Sequence, residues 1–214
     1  MKTATFGMVV MAGALLPMLG GGAQAAGTSH AAATTYVAHL HPMNSTVTGR
    51  QATGEAHFVI HGDTMTITVD MKGVPPGVMH WQHFHGFKDN HNAVCPAAAA
   101  DVNHDGIIDL IETEPSSGET MVPFNADPAA MQVASNTYPT ASANGTYQYH
   151  VTVSLPKLQA GFAKAFGDRT LDLDRRVVFI HGVPPDTKLP ATVASLGTIP
   201  AQVTLPIACG KIER

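Results

Sequence analysis

The chain predicts an all-β protein, an antiparallel barrel or sandwich, and three observations lead there. Apolar and polar residues alternate in several short runs, as in Phe58 and Ile60 and again in Met65, Ile67 and Val69. Glycine and proline punctuate those runs, most plainly at Gly73-Val74-Pro75-Pro76-Gly77 and at Pro184-Pro185. Helical spacing of apolar residues is confined to Leu158, Phe162 and Phe166, which predicts one short helix packed on a core.

Taken in order, the chain opens with Lys2, an apolar run from Phe6 to Leu19 and an Ala23-Gln24-Ala25 site. This is the pattern of a secretory signal peptide over 1–25. A membrane span would need about 20 apolar residues without interrupting glycines. Cleavage after Ala25 leaves 214 − 25 = 189 residues and, with Lys2 gone, moves the net charge from −4 to −5. The expected location is periplasmic or secreted. Residues 26–35 are small and polar, a flexible lead-in, and 36–214 form the β domain.

Tyr36 to His41 reads as a first strand, with His39 and His41 on one solvated face. A turn-rich connection from Met43 to Gln51 follows. It contains the sequon Asn44-Ser45-Thr46, and a second sequon is Asn144-Gly145-Thr146. Gly54–Ile60 and Met65–Met71 form a hairpin about His61-Gly62-Asp63. Pro115 to Gly145 reads as mostly irregular, Tyr147 to Leu155 as a strand and Pro156 to Phe166 as the helix. Arg176 to His181 is a strong strand with Val178 and Ile180 on one face and Val177, Phe179 and His181 on the other. Ala201 to Ile207 reads as a further strand, and Ala208 to Ile212 closes the fold.

The chemistry concentrates in His80-Trp81-Gln82-His83-Phe84-His85. On a strand His83 and His85 point to the same face, and two imidazoles on one face suit Cu, Zn, Fe or Ni. Twelve histidines against 12 Lys plus Arg point to metal as well. The mild acidity gives no electrostatic reason to bind nucleic acid or anionic lipid.

The order His80-x-x-His83-x-His85, Cys95, Arg176-x4-His181 and Ala208-Cys209-Gly210-Lys211-Ile212 resembles the Cu/Zn superoxide dismutases, over roughly Ala52 to Ile212. The resemblance implies a Greek-key β-barrel or sandwich, copper on His83, His85 and His181, superoxide as substrate, and His80 hydrogen-bonding beside the site. It also implies a Cys95–Cys209 disulfide, which suits an oxidising compartment. Two departures stand out. The position of the family's superoxide-attracting arginine is Pro206, which offers neither charge nor donor. The family's zinc loop, with its copper–zinc bridging histidine, has no aligned counterpart. The nearby candidates for a fourth copper ligand are His91 and His104. The expectation is therefore weak superoxide dismutation, or copper binding and delivery without turnover.

In place of the zinc loop stands Asp101-Val102-Asn103-His104-Asp105-Gly106-Ile107-Ile108-Asp109-Leu110-Ile111-Glu112. It fits the EF-hand calcium pattern at Asp101, Asn103, Asp105, Asp109 and Glu112, with Gly106 at the sharp turn and Ile107 giving its backbone carbonyl. The flanks do not read as two long helices, so this is one calcium loop grafted onto a β scaffold. Calcium is expected and zinc is not. The first half of the chain also resembles chordin-type (CHRD) domains, through its Gly-rich lead, the Gly54–Met71 hairpin and a strand ending in His83-Phe84-His85-Gly86. That resemblance implies a secreted binding or structural module stabilised by calcium.

Overall fold

The structure, a computed structural model, describes residues 1–5, 7, 32–167 and 170–214. Chain contacts divide it into two units, Met1–His30 and Ala31–Arg214. In the first unit residues 1–5 and 7 form no regular element. The apolar run and cleavage site of the expected signal peptide lie outside the described residues, apart from Gly7. So does the lead-in as far as residue 31. Among the described residues no helix is long and apolar enough to cross a membrane.

The second unit is built on eight strands: β1 (Thr34–Pro42), β2 (Thr53–His61), β3 (Thr64–Lys72), β4 (Gln82–Gly86), β5 (Glu119–Pro123), β6 (Thr146–Ser154), β7 (Val177–His181) and β8 (Pro206–Glu213). Among the described residues four α-helices accompany them: α1 (Ser45–Thr48), α2 (Leu110–Ser117), α3 (Leu155–Phe166) and α4 (Ala201–Thr204). The strands form one sheet in the order β5-β4-β7-β8-β1-β2-β3-β6, with every neighbouring pair antiparallel. The chain crosses between the two halves at β3→β4, at β5→β6 and again at β6→β7, a Greek-key connectivity.

The sheet curls until its two edges face each other. Tyr149 of β6 donates its hydroxyl to the Asn125 carbonyl just beyond β5 (2.7 Å), and Tyr147 donates to Gln82 Oε1 in β4 (3.0 Å). The closure rests on side chains, and between them lies the apolar core. Phe58 of β2 meets Phe124 edge-on at 5.5 Å, and Phe84 of β4 meets Phe162 of α3 at 6.3 Å. Leu158 and Phe162 are the buried stripe of α3, as the spacing predicts.

Three differences from the sequence expectation are local. Glu119–Pro123 is a strand, not irregular chain; its apolar pair Met121-Val122 is too short to show alternation. Ala201–Thr204 is a single helical turn, and the last strand starts only at Pro206. The calcium-type loop is followed by the eight-residue α2, where the sequence shows no helical stripe.

The feature that creates a site is that β4 and β7 are buried on both faces. Phe84, Val178 and Ile180 face the main core. On the opposite face the disulfide Cys95–Cys209 forms, with its Cα atoms 5.9 Å apart. It packs with Ala93, Val177 and Phe179 in a second, smaller cluster. The long connection from β4 to β5 thus lies over this outer face, and the histidines are enclosed beneath it.

Candidate metal centre

His83 and His85 leave β4 on the outer face, opposite Phe179 and Val177 of β7. His181, at the end of β7, reaches the same place, because its backbone N–H donates to the Trp81 carbonyl (2.8 Å) and so aligns it with the start of β4. The ring centroids of His83 and His85 are 4.8 Å apart, and those of His83 and His181 are 4.6 Å apart. One nitrogen from each of the three rings lies within 4.8 Å of the other two. Among the described residues this is the one group of three or more His, Cys, Asp or Glu ligand atoms so placed.

Backbone carbonyls decide which nitrogens remain available. His181 Nδ1 lies 2.6 Å from the Thr204 carbonyl, an end-of-helix acceptor at the last turn of α4. A carbonyl only accepts, so Nδ1 carries the proton and Nε2 keeps a lone pair. His85 is held the same way by the Gly118 carbonyl at the end of α2 (3.1 Å), and Thr120 Oγ1 sits 3.1 Å from its Nε2. His83 Nδ1 and His181 Nε2 are buried and have no hydrogen-bond partner among the described residues.

Burial also keeps the three rings neutral. It pulls the pKa of His85 down to about 3 and that of His181 to about 4, and it holds His83 well below the usual imidazole range. Neutral imidazole is the ligand form. Two orphaned ring nitrogens, with a third capped only by a hydroxyl, are costly inside a protein unless something accepts their lone pairs. A first-row transition ion fits that donor set.

His80 lies beside the trio. It is fully buried, its Nδ1 is 2.9 Å from the His181 carbonyl, its Nε2 is 3.0 Å from the Pro75 carbonyl, and it stacks on Tyr147. It therefore fixes the backbone of His181. Burial lowers its pKa against the pull of those two carbonyls. His91 and His104 stand outside the trio. His91 stacks on Phe87 and pairs with Asp89 (2.6 Å). His104 is exposed in the calcium-type loop, with a left-handed φ of 60°.

A cavity of about 240 Å³ opens above the trio. Trp81, Leu110, Val133 and Leu196 make it largely apolar, and Glu114 and Glu119 bring carboxylates to its wall. Trp81 stands just before β4, and its place at the cavity was not read from the sequence. The carbonyls of Gly118 and Thr204 left no sequence signal. Pro206 does not line the cavity. It is buried in register with His181, and its carbonyl accepts from Asn44 Nδ2 (2.9 Å). The same Asn44 side chain donates to the Ile108 carbonyl and accepts from Ile108 N–H, both at 2.9 Å. A sequon asparagine held this way is not presented for glycosylation.

The calcium-type loop leads directly into α2, which forms part of the cavity wall. Gly106 takes φ +82°, and the side chains turn onto the loop backbone. Asp101 accepts from Gly106 N–H (2.9 Å), Asn103 from Asp105 N–H (2.9 Å) and Asp105 from Ile107 N–H (2.8 Å). Glu112 accepts from Val102 N–H (2.9 Å) and, with Asp109, closes a capping box on α2.

A larger cleft of about 780 Å³ lies over β1, β2, β3 and β6, away from the trio. Several of its polar groups are matched to one another or to neighbours: Gln148 donates to Asp70 (2.5 Å), and Glu55 pairs with His39 and His57 at 3.1 Å each.

No family model and no curated protein matches the chain. Among solved structures it is similar to the Cu/Zn superoxide dismutase from Brucella abortus, at 19% identity and a TM-score of 0.44, over 85% of this chain and all of that one.

Proposed function

We propose that this chain is an exported copper-binding protein on a superoxide dismutase-like β scaffold, with one copper ion held by His83, His85 and His181. The observation that carries the reading is the convergence of three neutral imidazoles, two of them with buried nitrogens that have no other partner. Bound copper supplies one-electron chemistry, the alternation between Cu(II) and Cu(I) that superoxide dismutation uses. The chain's own residues do the rest. Gly118 and Thr204 fix the tautomers of His85 and His181, and His80 holds the His181 backbone. Thr120 offers a hydroxyl beside the site, and the apolar wall limits access by water.

Superoxide turnover in this reading is slow. No Lys or Arg lines the cavity, and two carboxylates do, so an anion gains nothing from steering, a contribution of roughly 10–10³-fold in rate. Copper binding or delivery without turnover is the second reading, favoured by the same carboxylates. Calcium in the loop from Asp101 to Glu112 stabilises the scaffold in both. Zinc has no place in either, because that loop offers oxygen ligands to a hard cation.

Elemental analysis of protein purified from its native compartment tests the proposal, with superoxide turnover measured on the same sample. Copper at one per chain, calcium at one per chain and turnover far below the diffusion limit are expected. Absence of copper would leave the calcium-stabilised structural module of CHRD type.

A further inference from the structure

We propose that Glu114 and Glu119 line the path by which a copper ion reaches the three-histidine site, so that the cavity is built to take up a cation. The proposal rests on the copper reading above. The trio is neutral, so by itself it offers an incoming ion lone pairs but no counter-charge. The cavity wall supplies the charge. Glu119 stands at the start of β5 and Glu114 on α2, and both border the same cavity as the histidines. Glu114 is exposed, and its carboxylate has no partner among the described residues. Glu119 is half-buried and held by Lys88 Nζ at 3.1 Å, which offsets part of its charge.

The nitrogens that the path leads to are themselves without partners. His83 and His181 are 3% and 5% exposed, both residues line the cavity, and their Nδ1 and Nε2 have no hydrogen-bond partner among the described residues. Trp81, Leu110 and Leu196 line the same cavity and make the rest of its wall apolar. Carboxylate residues and buried nitrogen donors thus share one cavity, a combination suited to a transition cation. The same carboxylates repel an anion.

Stopped-flow loading of the apo-chain with Cu(II) tests this. The substitutions Glu114→Gln and Glu119→Gln sit on exposed and half-buried side chains and should leave the fold intact. Each is expected to slow uptake, and the double variant about tenfold, the lower end of electrostatic steering. Wild-type uptake should slow as ionic strength rises, and the double variant should lose that dependence. Lys88→Met releases Glu119 and should speed uptake, an effect of opposite sign that general damage to the fold would not produce. Uptake by wild type that is unchanged in the double variant, or that quickens with salt, overturns the path and leaves the copper site standing. Wild type that takes up no Cu(II) at all overturns both.

Discussion

The carbonyl oxygen of Gly118 lies 3.1 Å from Nδ1 of His85 and thereby leaves Nε2 of that ring for a metal. Gly118 can hold this position because it has no side chain. Its φ is +74°, and a Cβ placed there would meet the Gly86 carbonyl at 2.1 Å. Gly86 is itself pressed against the Arg176 side chain, where a Cβ would lie 2.4 Å from Nη1. Glycine, glycine and arginine are stacked behind the histidines.

Gly118→Ala should therefore loosen His85. The expected loss is about 1–3 kcal/mol of stability from overpacking and backbone strain, with copper bound about 10–100-fold more weakly through the displaced carbonyl. Thermal melts and competitive copper titration measure the two effects. A folded variant with wild-type copper affinity would contradict the role given to that carbonyl.

Arg176 is fully buried, unlike almost any arginine on a protein surface. Its Nε donates to the Leu171 carbonyl (2.9 Å), Nη1 to the Phe87 carbonyl (3.3 Å) and Nη2 to Asn90 Oδ1 (2.7 Å), while the guanidinium lies over Phe162. It ties the chain leaving β4 to the chain entering β7, the two strands that carry the trio. Arg176→Met leaves those acceptors unmatched and should cost roughly 3–5 kcal/mol. Arg176→Lys, which cannot span them, should recover little of it. Denaturant unfolding reads the change, and a loss below about 1 kcal/mol would show the network to be dispensable.

Much of this arrangement was legible in the sequence, and what was not has physical causes. The hairpin, the helix stripe and the facing of Val178 and Ile180 against His181 follow from residue periodicity, which burial on one face imposes. Spacing placed His83 and His85 on one strand face, and His181 joined them only through the resemblance to the Cu/Zn superoxide dismutases. The carbonyls of Gly118 and Thr204 were invisible, because any residue type supplies a carbonyl and only the turn geometry aims it. Glu114 and Glu119 were invisible as a pair, since nothing in the sequence shows that α2 and β5 border the same cavity as the histidines. The strand expected over Ala201–Ile207 fails because Val203 and Leu205 alternate by chance across a helical turn.

The apo-protein should be acid-labile well above the pH of ordinary carboxylate titration. The folded pKa of His85 is about 3 and that of His181 about 4, while both are near 6.5 when unfolded. Below about pH 6.5 the unfolded chain binds protons that the folded chain refuses. Stability then falls as pH falls, by roughly 1.4 kcal/mol per pH unit for each such histidine, until the folded rings protonate as well. His83 and His80 shift in the same direction and add to the slope. Melting temperatures of metal-free protein at pH 7, 6 and 5 should fall steadily, and a flat profile would contradict burial of neutral rings.

Calcium removal should lower the melting temperature, by an amount that follows mass action, about 2.7 kcal/mol at a hundredfold excess of ion over Kd. Glu112→Gln separates this effect from helix capping. The amide oxygen still accepts from Asp109 N–H in the capping box, but it no longer offers a bidentate carboxylate. The variant should fold and should lose its response to chelator. Identical melts with and without calcium in the wild-type protein would count against the loop as a calcium site.

The most direct measurement is electron paramagnetic resonance of the chain loaded with Cu(II). Three imidazole ligands should give one Cu(II) per chain, with superhyperfine coupling to three nitrogens that diminishes in His83→Ala, in His85→Ala and in His181→Ala. A spectrum that none of the three substitutions changes, or no stoichiometric Cu(II) at all, would contradict the assignment of copper to this trio.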